Sequence, residues 1–162
     1  MEKIVFPSPA INDDSLDYSF SGLKTACINY LHTYRQKNNI EDKGEIPEDE
    51  KMRIAASFTE TVVRGICQKL EKALELTKTK TLVVAGGVAA NSHLRRGVAE
   101  VCEKHGVKLC IPPLSLCGDN GAMVGAQAYY EALSGVFADE RLNAYASGEA
   151  AEAAAELAKF RN

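Results

Sequence analysis

The sequence predicts an α/β fold containing parallel strands, and three observations carry that reading. An apolar run rich in β-branched residues, Leu82–Ala85, stops at the adjacent glycines Gly86 and Gly87. Helical spacing then places Leu94, Val98, Val101 and Cys102 on one face from about Asn91 to His105, and Gly106 follows as the helix-ending glycine. A second apolar run, Val107–Ile111, comes directly after it. Residues 80–111 therefore read as a β-α-β unit. Such crossovers are almost always right-handed and make their strands parallel. Both strands then end at the same edge of the sheet, which brings Gly86-Gly87 near the loop after Ile111.

The remaining elements follow in order. Residues 1–9 read as extended, with Ile4-Val5-Phe6 bounded by Pro7 and Pro9. Ile11–Ser19 is polar and turn-like. Its Asp13, Asp14 and Asp17 lack the spacing of a calcium loop. A helix is predicted from about Phe20 to Lys37, with Ser19 or Ser21 available as its cap. Its opening residues, Ser19 to Thr25, include two serines, Gly22 and Lys24, which suit either an ordinary cap or contact with an anion. After the polar connection Asn38–Pro47, a second helix begins near Glu48. Its row Ile54, Phe58, Val62, Ile66, Leu70 and Leu74 recurs every four residues and marks a core-facing stripe.

Past that helix comes the strand Leu82–Ala85. Its continuous apolar character predicts burial on both faces. Gly86 and Gly87, lacking Cβ, can take positive φ and let a ligand approach the backbone. The amides at the start of the following helix can receive phosphate, ribose or carboxylate. A glycine pair in this place also serves as a plain tight connection, and the run fits neither common nucleotide-binding glycine fingerprint. The second loop, Pro112–Gly121, leads into a helix from Ala122 to about Ser134 whose small residues allow close packing. Asp119 stands at the position of an N-cap, where it can cap or hold a ligand. Gly135–Ser147 reads as loop, and Glu149–Phe160 has high helix propensity with a thin apolar face.

Composition sets the outer bounds. The 162 residues suit one domain, and 46% apolar with 25% charged residues is ordinary for a soluble chain. A net charge of −3 gives no bulk case for nucleic-acid binding, although Lys24, Arg95 and Arg96 are candidates for a local basic patch. There is no apolar run long enough for a membrane span and no secretory leader, so a cytoplasmic location is expected. Cys27, Cys67, Cys102, Cys110 and Cys117 are odd in number and lack zinc spacing, which predicts buried, reduced thiols.

Three segments together resemble one family: Asp17-Tyr18-Ser19-Phe20-Ser21-Gly22-Leu23-Lys24-Thr25-Ala26, Val84-Ala85-Gly86-Gly87-Val88-Ala89-Ala90-Asn91, and Cys117-Gly118-Asp119-Asn120-Gly121-Ala122-Met123. In order and spacing they are similar to the TsaD family of tRNA threonylcarbamoyladenosine synthesis, formerly called glycoprotease or O-sialoglycoprotein endopeptidase. The resemblance runs from about Ile4 to Ala146. It implies an actin-like, sugar-kinase-like (ASKHA) two-lobe fold, with residues 1–146 as its C-terminal lobe and 147–162 as an Ala-rich tail.

The implied activity is transfer of threonylcarbamoyl from threonylcarbamoyl-AMP to the adenosine beside the anticodon of tRNA. A nucleotide-binding or ATPase lobe of the same superfamily is the alternative, and the old metallopeptidase label a weaker one. By this resemblance Asn91, Gly86 and Gly87 bind substrate and Asp119 is a ligand of one iron or zinc ion. No catalytic residue is assigned, Ser21 and Lys24 included. Partners implied are tRNA, a paralogous TsaB-like subunit and a TsaE-like ATPase, with no membrane.

One departure is large. The family's His-x-x-x-His pair, which completes the metal site, is missing: the histidines are His32, His93 and His105. The chain is therefore expected to be a C-terminal portion of a protein about twice as long, to hold metal weakly and to be inactive alone.

Overall fold

In the computed structural model, residues 3–10, 15–42 and 44–139 are described. Asp13, Asp14 and the Glu149–Phe160 segment lie outside them. The chain divides into two compact units, Met1–Gly118 and Asp119–Asn162. The first carries helices α1 (Ser21–Lys37), α2 (Glu48–Thr77) and α3 (Ser92–His105) and strands β1 (Thr81–Val83) and β2 (Lys108–Cys110). The second contains α4 (Gly121–Leu133). The α/β character read from the sequence holds. No helix among the described residues is long and apolar enough to cross a membrane.

The apolar row of α2 serves two separate cores. At its start, Ile54 joins Phe6 and Leu23, with Phe58 and Val62 packed alongside. Further along, Ile66 and Leu70 pack on a second cluster of Leu94, Val98 and Cys102. A single helix of 30 residues thus links the α1 layer to the β-α-β unit. Gly97 sets how closely α3 approaches: a Cβ there would lie 2.9 Å from both Cys67 Sγ and Val63 Cγ1.

Charged groups support the first core. Glu50, though buried, receives two hydrogen bonds from Arg53 at 2.9 Å and one from the Tyr30 hydroxyl at 2.7 Å. The Arg53 hydrogen bonds hold the Glu50 carboxyl below the usual carboxylate range. Lys69, also buried, donates to the Ser15 carbonyl, and the Tyr18 hydroxyl to that of Ile66. These two bonds pin the segment before α1 onto α2.

β1 and β2 are parallel, with Thr81 opposite Lys108, Leu82 opposite Leu109 and Val83 opposite Cys110. The β-α-β unit is as expected, but burial on both faces is not. Leu82 and Val84 pack on the α3 cluster, whereas Val83 is 69% exposed. Alternate residues of a strand face opposite sides, and α3 covers one side only. The capping expectation for α1 also changes. α1 starts after Phe20 with no side-chain cap, so neither Ser19 nor Ser21 fills that role. Ile4–Phe6 forms no strand among the described residues, although Phe6 is core.

Candidate functional site at the carboxyl edge of the sheet

Beyond β1 the chain makes a turn that only glycine permits. Gly86 has φ 90 and ψ 171, a conformation essentially closed to residues bearing a Cβ. Gly87 does not share it, so of the two glycines expected to supply positive φ only the first does. What Gly87 offers is room: a Cβ built on it meets nothing within 4 Å. A short 3-10 turn, Gly87–Ala90, follows and buries Ala89 while leaving Gly86, Gly87 and Asn91 exposed. Among the described residues no acceptor is seen for the amides of Gly87 and Val88.

Asn91 is the N-cap of α3. Its Oδ1 accepts the amides of His93 and Leu94, both at 3.0 Å. Two of the amides that the sequence offered to a ligand are therefore taken by Asn91 itself. The consequence is useful chemically. With Oδ1 fixed by two donors, the amide nitrogen Nδ2 remains as a hydrogen-bond donor on an exposed residue. The turn presents donors suited to an oxygen-rich ligand, and the far end of α3 closes with paired bonds from Gly106 and Val107 to Glu103 and Cys102.

Beyond β2, Pro112 and Pro113 lead into a 3-10 turn at Leu114–Leu116. Parallel pairing puts this loop and the Gly86 turn at the same edge, as the crossover argument required. Arg95 joins them: Nη1 donates to the Ala89 carbonyl at 3.0 Å and Nη2 to the Pro112 carbonyl at 2.5 Å. The sequence places Arg95 among the candidates for a basic surface patch. Its guanidinium is instead half-buried between two loops, and only Arg96 of that pair is exposed.

Asp119 opens the second unit. The cap of α4 is not Asp119 but Asn120, whose Oδ1 accepts the Met123 amide at 3.1 Å. Asp119 is exposed, and no hydrogen bond to its carboxylate is seen among the described residues. α4 itself has no buried residue, and among the described residues a Cβ built on Gly121 or Gly125 meets nothing within 4 Å.

The metal that the resemblance implies needs a set of protein donors. Among the described residues no group of three His, Cys, Asp or Glu side chains comes together. A catalytic metal normally takes about three protein ligands. The donors seen here do not make such a site. The thiols are no substitute: all five are unpaired, Cys102 and Cys117 are buried, and burial pushes the Cys67 and Cys102 thiols up. A groove of about 930 Å³ runs between α2 and α3 past Val63, Cys67, Arg96 and Val101. None of Gly86, Gly87, Asn91 or Asp119 lines it. The candidate site is an open edge rather than this groove.

Comparison with known proteins gives this edge a context. A family profile named TsaD, described as tRNA N6-adenosine threonylcarbamoyltransferase, matches residues 1–126. A protein of that name from Staphylococcus carnosus (strain TM300) is 43% identical over 142 residues, which is 88% of this chain and 39% of its own length. One from Clostridium botulinum (strain 657 / Type Ba4) is 45% identical over 134 residues, covering 83% of this chain and 37% of its own. One from Latilactobacillus sakei subsp. sakei (strain 23K) is 44% identical over 144 residues, covering 88% and 40%. The chain thus spans about two-fifths of the length of these relatives.

Proposed function

The chain belongs to the TsaD family, and from that premise we propose that the carboxyl edge of β1 and β2 binds the adenylate half of threonylcarbamoyl-AMP. The whole protein's reaction is then transfer of the threonylcarbamoyl group to the adenosine next to the anticodon of tRNA. In that reaction the adenosine amino nitrogen attacks the carbamoyl carbon. A C–N bond forms, the carbonyl C–O bond to the phosphate breaks, the amino nitrogen releases one proton to solvent, and AMP leaves.

What these residues contribute is binding and orientation. The open space over Gly87 lets the nucleotide approach the backbone. The Gly87 and Val88 amides suit its oxygens, and Asn91 Nδ2 donates a further hydrogen bond. Asp119 is proposed as one ligand of the family's iron or zinc; no step here runs through that ion. A TsaB-like subunit, a TsaE-like ATPase and a cytoplasmic location belong to the same proposal and rest on family membership.

The observation that carries this reading is Asn91: its oxygen is committed to the helix, which leaves its nitrogen for a ligand. Asn91→Asp tests it. Aspartate caps a helix about as well as asparagine but offers an acceptor where the ligand needs a donor. AMP binding followed by heteronuclear NMR should be lost in Asn91→Asp while thermal unfolding is unchanged. Equal AMP affinity in both proteins would sink the reading.

A further inference from the structure

Arg95 has no place in the function proposed above, yet it alone among the described side chains hydrogen-bonds both loops of the site. The ladder bonds between the strands end where the Val84 amide donates to the Cys110 carbonyl. Past that point no backbone hydrogen bond joins the two segments among the described residues. One enters the Gly87–Ala90 turn, and the other enters Pro112-Pro113, whose nitrogens carry no hydrogen to donate. Each loop closes on itself, through Ala89 to Gly86 and through Leu116 to Pro113. Arg95 spans the gap from the first turn of α3, with one guanidinium nitrogen on Ala89 and another on Pro112.

We propose that Arg95 is a positioning residue: its planar guanidinium clamps the Gly86–Asn91 turn to the Pro112 loop and so holds the substrate edge in its binding geometry. The proposal rests on the adenylate-site reading. A guanidinium is suited to the task because it is always charged and presents several donors in a rigid fork. A lysine ammonium carries its donors on one atom and does not reproduce that span. The residue is anchored behind the site as well. Leu94 beside it is core, and the Arg95 amide donates to the Asn91 carbonyl. The clamp therefore connects the α3 core, the Asn91 cap and both loops.

Arg95→Ala removes the clamp while sparing Leu94, Val98 and Cys102. If the two loops then adopt the binding arrangement about one-tenth of the time, the Kd for AMP rises about tenfold. Arg95→Lys should recover only part of that loss, and added N-ethylguanidinium should restore affinity to Arg95→Ala more than ethylammonium does. A purely structural arginine would not show that preference for a planar cation. AMP affinity unchanged in Arg95→Ala, or equal recovery with both additives, overturns the proposal.

Amide hydrogen exchange provides a readout that does not depend on AMP. Exchange should quicken in Ala89–Asn91 and in Leu116–Cys117 together, with β1, β2 and the α2–α3 core unaffected. Faster exchange in one loop alone, or in neither, also overturns the clamp. If the parent chain does not bind AMP, the nucleotide reading falls, and the exchange pattern by itself decides the clamp.

Discussion

Asn91 and Asn120 end their loops in the same manner and leave different groups behind. Each side-chain oxygen caps the helix that follows, α3 in one case and α4 in the other. In the first loop the cap is also the proposed substrate contact, so one residue holds the helix and offers its nitrogen outward. In the second the cap stands beside the group of interest, and Asp119 is relieved of capping. The backbones differ more than the caps do. The first loop contains a glycine at φ 90 and a buried Ala89 tied to Arg95. In the second, Gly118 and Gly121 have no positive φ and no atom within 4 Å of a built Cβ. An asparagine before a helix therefore marks a helix start in both places, while the strained glycine singles out the loop whose shape is fixed.

The sharpest way to break this comparison is to add one methyl group to each loop. Gly86→Ala forces alanine into a glycine-only conformation and should lower unfolding stability by about 1–3 kcal/mol. Gly118→Ala should stay within about 0.5 kcal/mol of the parent. Urea denaturation measures both, and similar losses in the two variants would remove the distinction. The caps should behave alike where the glycines do not. Asn91→Ala and Asn120→Ala should each cost about 1 kcal/mol, read from helix content and the unfolding midpoint. Only Asn91→Ala should also weaken AMP binding. A ligand effect from Asn120→Ala would mean that the second loop shares the nucleotide.

Much of this edge was legible in the sequence because local rules fix it. Gly106 ends α3, the apolar runs flank a helical period, and parallel pairing follows from the crossover. The missed features depend on partners far along the chain or on what covers a surface. Arg95 reads as a surface cation because a bond to a carbonyl 17 residues away leaves no periodic trace. The α2 stripe reads as one core, since spacing shows which side is apolar but not that two layers share it. Val83 belongs to a run that looks buried on both faces, and only the three-dimensional packing shows that α3 covers one. Glu50 lies in the first turn of α2, a position where an acid is ordinarily exposed. Its burial depends on Tyr30, from another helix. The donor left over at Asn91 follows from the occupation of its oxygen by two amides, which the residue type alone does not reveal.

Asp119→Ala, like Gly118→Ala, should barely change stability, and it gives a distinct test of the metal expectation. The Asp119 carboxylate caps nothing, so Asp119→Ala should leave the unfolding midpoint within about 0.5 kcal/mol of the parent. A lone exposed carboxylate is far short of the roughly three protein ligands that a catalytic metal takes. The 162-residue chain, incubated with zinc or ferrous iron and then dialysed, should retain no stoichiometric metal by elemental analysis. Asp119→Ala should be indistinguishable from it. One equivalent retained by the parent and released by Asp119→Ala would show instead that this chain supplies a complete ligand set around Asp119. The second loop would then be a built site in its own right, and the contrast with the clamped Gly86 loop would fail.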